Sequence, residues 1–181
     1  MGIVLGVSCG DESGDGGGNA PPTAAGGAAL TAASLIPDLT SLGFTKGQAE
    51  RDPAALPGQD TYRALFQQQA APQMGARVDI TVVATEADAA KQWETLSVAL
   101  RNPPPDIFGS ASTQKDATAT SLGNQSRAYM TAKPDTSGTQ VWTDIYRFGR
   151  AIAVVQVLSR NEPEAQKARI AIAEKIRDKA K

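Results

Sequence analysis

The chain has 181 residues, a formal net charge of −1, one cysteine and no histidine. This length suits a single domain, and the near-neutral charge argues against a nucleic-acid partner, which calls for a basic surface. Without histidine the chain lacks the usual general base and the commonest zinc ligand, and one cysteine permits no internal disulfide or thiolate cluster, so we expect neither an enzyme nor a cofactor or metal.

Residues 1–9 form a short apolar run, Met-Gly-Ile-Val-Leu-Gly-Val-Ser, that ends at the single cysteine, Cys9. A Gly-rich polar stretch follows in residues 10–27. This pattern resembles the end of a bacterial lipoprotein signal peptide, in which a small residue precedes the cysteine that receives a diacylglycerol chain. The resemblance implies export and a lipid on Cys9 that anchors the protein to the extracytoplasmic face of the cell membrane. Residues 10–27 are then a flexible tether.

Two further features of the N-terminal region bear on its resemblance to a signal peptide. The apolar run is shorter than a full signal peptide, so we expect the natural chain to begin upstream of Met1. No stretch of about 20 apolar residues predicts a membrane-spanning helix, so the lipid is the expected contact with the membrane.

Residues 28–181 are expected to form one α+β domain, in which a mid-chain helix and a C-terminal helix pack on a mainly antiparallel sheet. In chain order, the sequence predicts a short or interrupted helix within Ala28–Leu42, an extended segment at Phe44–Arg51, a strand or short helix at Thr61–Gln69, a strand at Arg77–Ala84, a helix from Thr85 that ends before Pro103, a strand within Thr118–Thr131, a hairpin of Thr139–Phe148 and Ala151–Ser159, and a helix after Asn161.

The middle and C-terminal elements have the clearest patterns. Alternating apolar and polar residues in Arg77–Ala84 indicate a half-buried strand. Thr85 suits a helix N-cap, with apolar residues recurring at helical spacing behind it. Ala151–Leu158 is apolar on both faces, which predicts a central strand covered on each side. Asn161 is the predicted N-cap of the last helix.

Two segments carry a resemblance to a known fold. Leu122-Gly123-Asn124-Gln125-Ser126 and the run Tyr146-Arg147-Phe148-Gly149-Arg150-Ala151-Ile152-Ala153-Val154-Val155 precede a terminal helix. This succession resembles the small α+β domains of exported actinobacterial and related lipoproteins, including the Mog1/PsbP-like fold. The resemblance implies a fold and varied binding partners rather than a particular activity.

Four aromatic residues are the candidate ligand-binding residues. Trp142, Tyr146 and Phe148 share one face of a predicted strand, and Trp93 lies on the predicted mid-chain helix. In one interpretation they line an apolar groove with Trp93 opposite. In the other they are core anchors, as large aromatic residues commonly are.

A polar cluster of Arg127, Asp144 and Arg147 is a second candidate, with exposed ion pairing on strands as the alternative interpretation. The basic end of the last helix, which includes Lys175, Arg177, Lys179 and Lys181, suits either lipid headgroups or a solvated helix end. The glycines of residues 14–18 lack the lysine and strand of a phosphate-binding loop.

The sequence therefore favours a lipid-anchored extracytoplasmic module that binds or senses a ligand, either a small apolar molecule or an envelope protein. The alternative is a non-catalytic accessory or structural subunit of a cell-envelope complex. An enzyme would need carboxylate or Ser/Lys chemistry for which the sequence shows no motif.

Overall fold

The computed structural model describes residues 30–53, 55–71, 73–101 and 114–181. Four features predicted from the sequence lie outside these ranges: Cys9, the predicted tether at residues 10–27, the predicted start of the domain at Ala28 and the proline run that begins at Pro103. The described residues form an α+β fold, a single antiparallel sheet of seven strands with helices on both faces. The predicted fold class is confirmed.

In the part of the chain that the structure describes, this fold has three α-helices and seven strands. The helices are α1 (Ala32–Leu35), α2 (Glu86–Arg101) and α3 (Glu162–Lys179), and a short 3-10 helix spans Thr40–Leu42. The strands are β1 (Thr45–Arg51), β2 (Asp60–Gln68), β3 (Met74–Val82), β4 (Gln114–Ala117), β5 (Gln125–Thr131), β6 (Gln140–Phe148) and β7 (Ala151–Ser159).

The sheet consists of two meanders that meet at its centre. Its strand order is β1-β2-β3-β7-β6-β5-β4. Local connections join β1 to β2 and β3, and likewise β4 to β5, β6 and β7. The two meanders join where β3 pairs with β7, with Val82 opposite Ala151 and Gly75 opposite Leu158. The prediction of a central position for Ala151–Leu158 is confirmed. The predicted cover on each side is incomplete, because Leu158 is 40% exposed and Val154 is half-buried.

The first face of the sheet carries the larger core. Side chains alternate along each strand, so β3 directs Val78, Ile80 and Val82 to this face. Helix α3 packs there on β6 and β7, while α1 packs on β2 and β3. Ala165, Ile172 and Ile176 of α3 are fully buried in this core. We call this side the α3 face.

The second face carries a smaller core under α2, which contacts β4, β5, β6 and β7. Ala89 and Trp93 of the helix pack with Ile145 and Ile152 of the sheet. The helix begins as predicted, because the Thr85 hydroxyl accepts a hydrogen bond from the Asp88 backbone N–H at 3.1 Å. We call this side the α2 face.

The remaining helical and strand predictions agree with the structure at most positions. Asn161 caps α3 by accepting from the Glu164 N–H at 3.2 Å, and β6 and β7 form the predicted hairpin with Gly149 in a left-handed conformation. Thr61–Gln69, which the sequence left open between strand and helix, lies almost entirely in β2. The strand β4 was not predicted, since its four residues Gln-Lys-Asp-Ala show no apolar alternation.

Candidate functional site

The α2 face is only partly covered by its helix. Helix α2 packs on the β4-to-β7 side of the sheet, and side chains of β2 and β3 on this face are half-exposed or exposed, apart from the nearly buried Thr81. We call the uncovered part the open face. Its residues are Thr61, Arg63, Leu65 and Gln67 of β2, Gly75, Arg77 and Asp79 of β3, and Val154 and Leu158 of β7. Thr81 of β3 and Gln156 of β7 point to the same side but are only 9% and 5% exposed.

The open face arises from the strand pattern seen in the sequence. In β3 the apolar residues Val78 and Ile80 point to the α3 face, so Arg77 and Asp79 must point the other way. Cross-strand register then brings Arg63 opposite Asp79 and Leu65 opposite Arg77. These polar residues were not predicted to form a site, although their alternation with apolar residues is visible in the sequence.

Two arginines share one carboxylate at the centre of the open face. Arg63 Nε lies 2.6 Å from Asp79 Oδ1, and Arg77 Nε lies 2.6 Å from Asp79 Oδ2. Arg77 Nη2 also donates to Asp79 Oδ1 at 3.2 Å. Arg63 lies in addition 3.7 Å from Asp52. Burial alone would lower the pKa of Arg63, but the hydrogen bond to Asp79 and the charges of Asp79, Asp52 and Glu50 raise it.

Exposed leucines flank this charged centre. The described residues include four exposed large apolar side chains, Leu56, Leu65, Val98 and Leu158. Leu65 and Leu158 belong to the open face and are 38% and 40% exposed. Leu65 lies across from Arg77, and Leu158 lies across from Gly75, whose missing side chain leaves space beside it. The open face is therefore amphipathic.

A cavity lies at each end of the open face. At the α2 end, a cavity of about 630 Å³ is lined by residues that include Leu56, Gln59, Gln92 and Leu96. The Gln59 and Gln92 side-chain amides each donate to the other, at 3.2 and 3.3 Å. At the far end, a cavity of about 640 Å³ has Gln67, Met74, Gly75 and Leu158 among its lining residues.

The four aromatic candidates do not lie together. Trp142, Tyr146 and Phe148 are 3%, 0% and 6% exposed on the α3 face, and the rings of Tyr146 and Phe148 stack with centroids 5.9 Å apart. Trp93 is 3% exposed on the α2 face, beneath the guanidinium of Arg127 at 4.9 Å. The sheet separates Trp93 from the other three, so these side chains form no common groove.

Asp144 belongs to a buried ion pair rather than to a cluster with Arg127 and Arg147. Its Oδ2 lies 3.2 Å from Nε of Arg169 on α3, and the two side chains are 1% and 4% exposed. Burial raises the pKa of Asp144 to about 7, which the charge of Arg169 only partly offsets. Arg127 and Arg147 lie on the opposite face of the sheet. Arg147 is three residues from Asp144 on β6, and Arg127 pairs with Ile145, the residue next to Asp144.

Tyr146 adjoins this ion pair within the core. Burial and the charge of Asp144 raise the pKa of its hydroxyl above the ordinary value. Arg169 Nη2 also donates to the Thr118 carbonyl at 3.4 Å. The pair lies between α3 and the centre of the sheet, and neither of the two cavities described above is lined by Asp144 or Arg169. We therefore assign it to the core of the fold rather than to a binding site.

The residues that the structure describes contain no metal-binding group and no membrane-spanning helix. Within these residues, no group of three acidic or cysteine side chains is placed to hold a metal ion. Their helices are also too short or too polar to cross a bilayer. Neither statement concerns Cys9 or residues 10–27, which the structure does not describe.

Comparison with known proteins gives a relationship in fold. No protein-family model matches the chain, and no curated protein matches its sequence. A solved structure similar to this fold is the crystal structure of the extracellular domain of PknH from Mycobacterium tuberculosis. The match has a TM-score of 0.59 and 10% sequence identity, and it covers 82% of this chain and 93% of that chain. The chain therefore shares its fold with an extracellular domain.

Proposed function

We propose that this chain is an exported, lipid-anchored module that binds a ligand on the open face of its sheet. The observation that carries the proposal is the incomplete cover of the α2 face, which leaves Leu65 and Leu158 exposed beside a cluster of charged side chains. Exposed apolar side chains grouped with polar ones mark interaction surfaces more often than isolated exposed residues do. A cavity at each end gives this surface the concave shape that ligand sites usually have.

Export and anchoring are supported by the sequence around Cys9 and by the fold. The apolar run, the cysteine and the Gly-rich tether follow one another as in bacterial lipoproteins. The solved structure of similar fold named above is an extracellular domain. A lipid on Cys9 would hold the domain at the extracytoplasmic face of the membrane, since bacterial modification supplies more than one acyl chain.

The position of the first described residues suits this arrangement. The Ala32 N–H donates to Asp60 at 2.7 Å, and Lys179 near the end of α3 donates to the Ile36 carbonyl at 2.9 Å. The chain therefore enters the domain on the α3 face. This entry point is on the side of the sheet opposite the open face.

Cell fractionation tests the anchor. The natural upstream reading frame would be restored, and the chain would be expressed with Cys9 intact or with Cys9→Ser. We expect the unmodified sequence in the membrane fraction, with the added mass of a lipid, and the Cys9→Ser protein outside it. If both proteins remain in the cytoplasm, the proposal of export and anchoring is wrong.

Fluorescence of the neutral apolar dye N-phenyl-1-naphthylamine tests the open face. We expect the dye to bind the unmodified protein, and the double variant Leu65→Ser/Leu158→Ser to bind at least five-fold more weakly. Val98→Ser is the matched control, because Val98 is 62% exposed on α2 outside the open face. Equal dye affinity in all three proteins would show that the open face is not the binding surface. Copurification of an envelope protein without dye binding would favour the accessory-subunit alternative.

A further inference from the structure

We propose that the ligand of the open face is an amphiphile with one anionic head group, a carboxylate or a phosphate, which pairs with Arg77 while its alkyl chain lies on Leu65 and Leu158. This inference rests on the proposed function and specifies the chemistry of the same surface. It follows from the unequal charges around the two arginines and from the positions of the two leucines.

The arginines differ in the number of carboxylates around them. Arg63 is influenced by three acidic residues, Asp79, Asp52 and Glu50. Arg77 has one ion-pair partner among the described residues, Asp79, and shares it with Arg63. Arg77 is therefore the arginine with fewer carboxylates around it, and the one more available to an anion.

Arg77 also has donors left for a ligand. Its bonds to Asp79 use Nε and Nη2, which leaves the Nη1 edge of the guanidinium, and its side chain is 31% exposed. A guanidinium presents its N–H groups in a planar fork that matches carboxylate and phosphate oxygens. An anion is thus the head group that Arg77 recognises, and a cationic head group would be repelled.

Leu65 and Leu158 supply the surface for an alkyl chain. Leu65 is directly opposite Arg77, and residues in that position have Cβ atoms about 5 Å apart. Gly75 is two residues from Arg77 on β3, and Leu158 of β7 lies opposite Gly75. Leu158 also lines the cavity of about 640 Å³, together with Met74. A chain that extends from Arg77 over Gly75 would cover both leucines and reach this cavity.

Asp79 makes a directional test available. Because its carboxylate competes with a ligand anion for Arg77, Asp79→Asn should strengthen binding of an anionic amphiphile. Arg77→Gln should weaken it. A residue that merely holds the strands together would give reduced binding in both variants, so opposite changes identify a charge effect at the ligand.

The experiment measures binding of decyl phosphate, decanoate, decyl maltoside and decyltrimethylammonium below their micellar concentrations, by calorimetry and by amide chemical shifts. The two anions should bind at least ten-fold more tightly than the other two amphiphiles. Inorganic phosphate alone should bind at least ten-fold more weakly than decyl phosphate, because it lacks the alkyl chain. Comparison of the two anions shows whether the site prefers phosphate or carboxylate.

Among the variants, Arg77→Gln should lose at least ten-fold in affinity for both anions, and Asp79→Asn should gain. The matched control is Arg101→Gln, since Arg101 forms an exposed pair with Asp116 away from the open face. Equal affinity for neutral, cationic and anionic amphiphiles, unchanged in Arg77→Gln, overturns the anionic head group and leaves the proposed function standing. Failure of every amphiphile and of the neutral dye to bind overturns both.

Discussion

Asp144 of β6 and Arg169 of α3 are joined by an ion pair of 3.2 Å in which both side chains are almost completely buried. The pair lies in the larger core, between otherwise apolar surfaces of the sheet and the helix. Two charges removed from water stabilise a fold weakly or not at all compared with apolar residues of similar volume, whereas one of them left alone is strongly unfavourable. The pair therefore matters most when one partner is lost.

We expect Arg169→Met to lower the free energy of unfolding by about 3–5 kcal/mol, because it leaves the carboxylate of Asp144 buried without a partner. The double variant Asp144→Leu/Arg169→Met should be close to the unmodified protein in stability, or above it. Urea unfolding at pH 8 measures both. A single variant as stable as the unmodified protein would show that Asp144 is reached by water.

The same pair makes stability depend on pH. The pKa of Asp144 is raised to about 7 from 3.8, so the folded protein binds a proton more tightly than the unfolded chain. The destabilisation caused by burying the charged carboxylate of Asp144 is complete above pH 7. It is relieved as the carboxylate is protonated between about pH 7 and pH 4. We expect a higher urea midpoint at pH 5 than at pH 8.

The double variant Asp144→Leu/Arg169→Met is the control for this pH dependence, since it has no group at the site that titrates between pH 5 and pH 8. Its midpoints at pH 5 and pH 8 should differ by much less. Hydrogen bonds lower the pKa values of three other carboxyl groups, those of Asp38, Asp135 and Asp178. The stability that these carboxylates contribute is therefore lost only at more acidic pH. Identical pH profiles of the two proteins would contradict the assignment to Asp144.

Truncation of the aromatic residues of β6 should destabilise the fold rather than remove a ligand-binding site. Trp142→Ala deletes a side chain that is 3% exposed in the larger core, and such a change costs about 3–5 kcal/mol. Circular dichroism and thermal unfolding should show this loss. Dye binding at a temperature where the variant remains folded should be unchanged, because Trp142 lies on the face opposite Leu65 and Leu158.

Gly123 is required by its contacts as well as by its backbone angle. It has a φ of +73°, and a Cβ atom there would collide with the Arg147 carbonyl and the Phe148 ring. Gly138 has a similar φ of +81° but open space around it. A left-handed conformation costs a non-glycine residue about 1–2 kcal/mol, so Gly138→Ala should lose about that amount. Gly123→Ala should lose clearly more in urea unfolding.

Local patterns in the sequence predicted most of the helices and strands. To predict the ion pair of Asp144 and Arg169, the pattern of β6 must be combined with that of α3. Asp144 has the same strand parity as Trp142 and Tyr146, so it must be buried wherever they are. Arg169 falls on the apolar stripe of α3 formed by Ala165, Ile172 and Ile176. A charged residue at a core position on each element indicates a pair, but the contact between them becomes visible only once α3 is assigned to that face.

The open face could not be read from the sequence for a similar reason. Alternation in β3 shows that Arg77 and Asp79 share a face, but it does not show which strands lie beside β3. The pairing of β3 with β7 brings Leu158 next to Gly75, and the strand order leaves this part of the sheet outside the reach of α2. Both facts depend on contacts between distant parts of the chain.

The junction of β3 with β7 has a consequence for how the protein folds. Each meander can form through short connections, but Val82 can meet Ala151 only after the whole chain between them has been looped back. Closing a long loop costs entropy before its contacts form, and folding slows accordingly. Until β3 and β7 pair, each exposes an unpaired apolar edge, so newly made chains are most prone to aggregate at this stage.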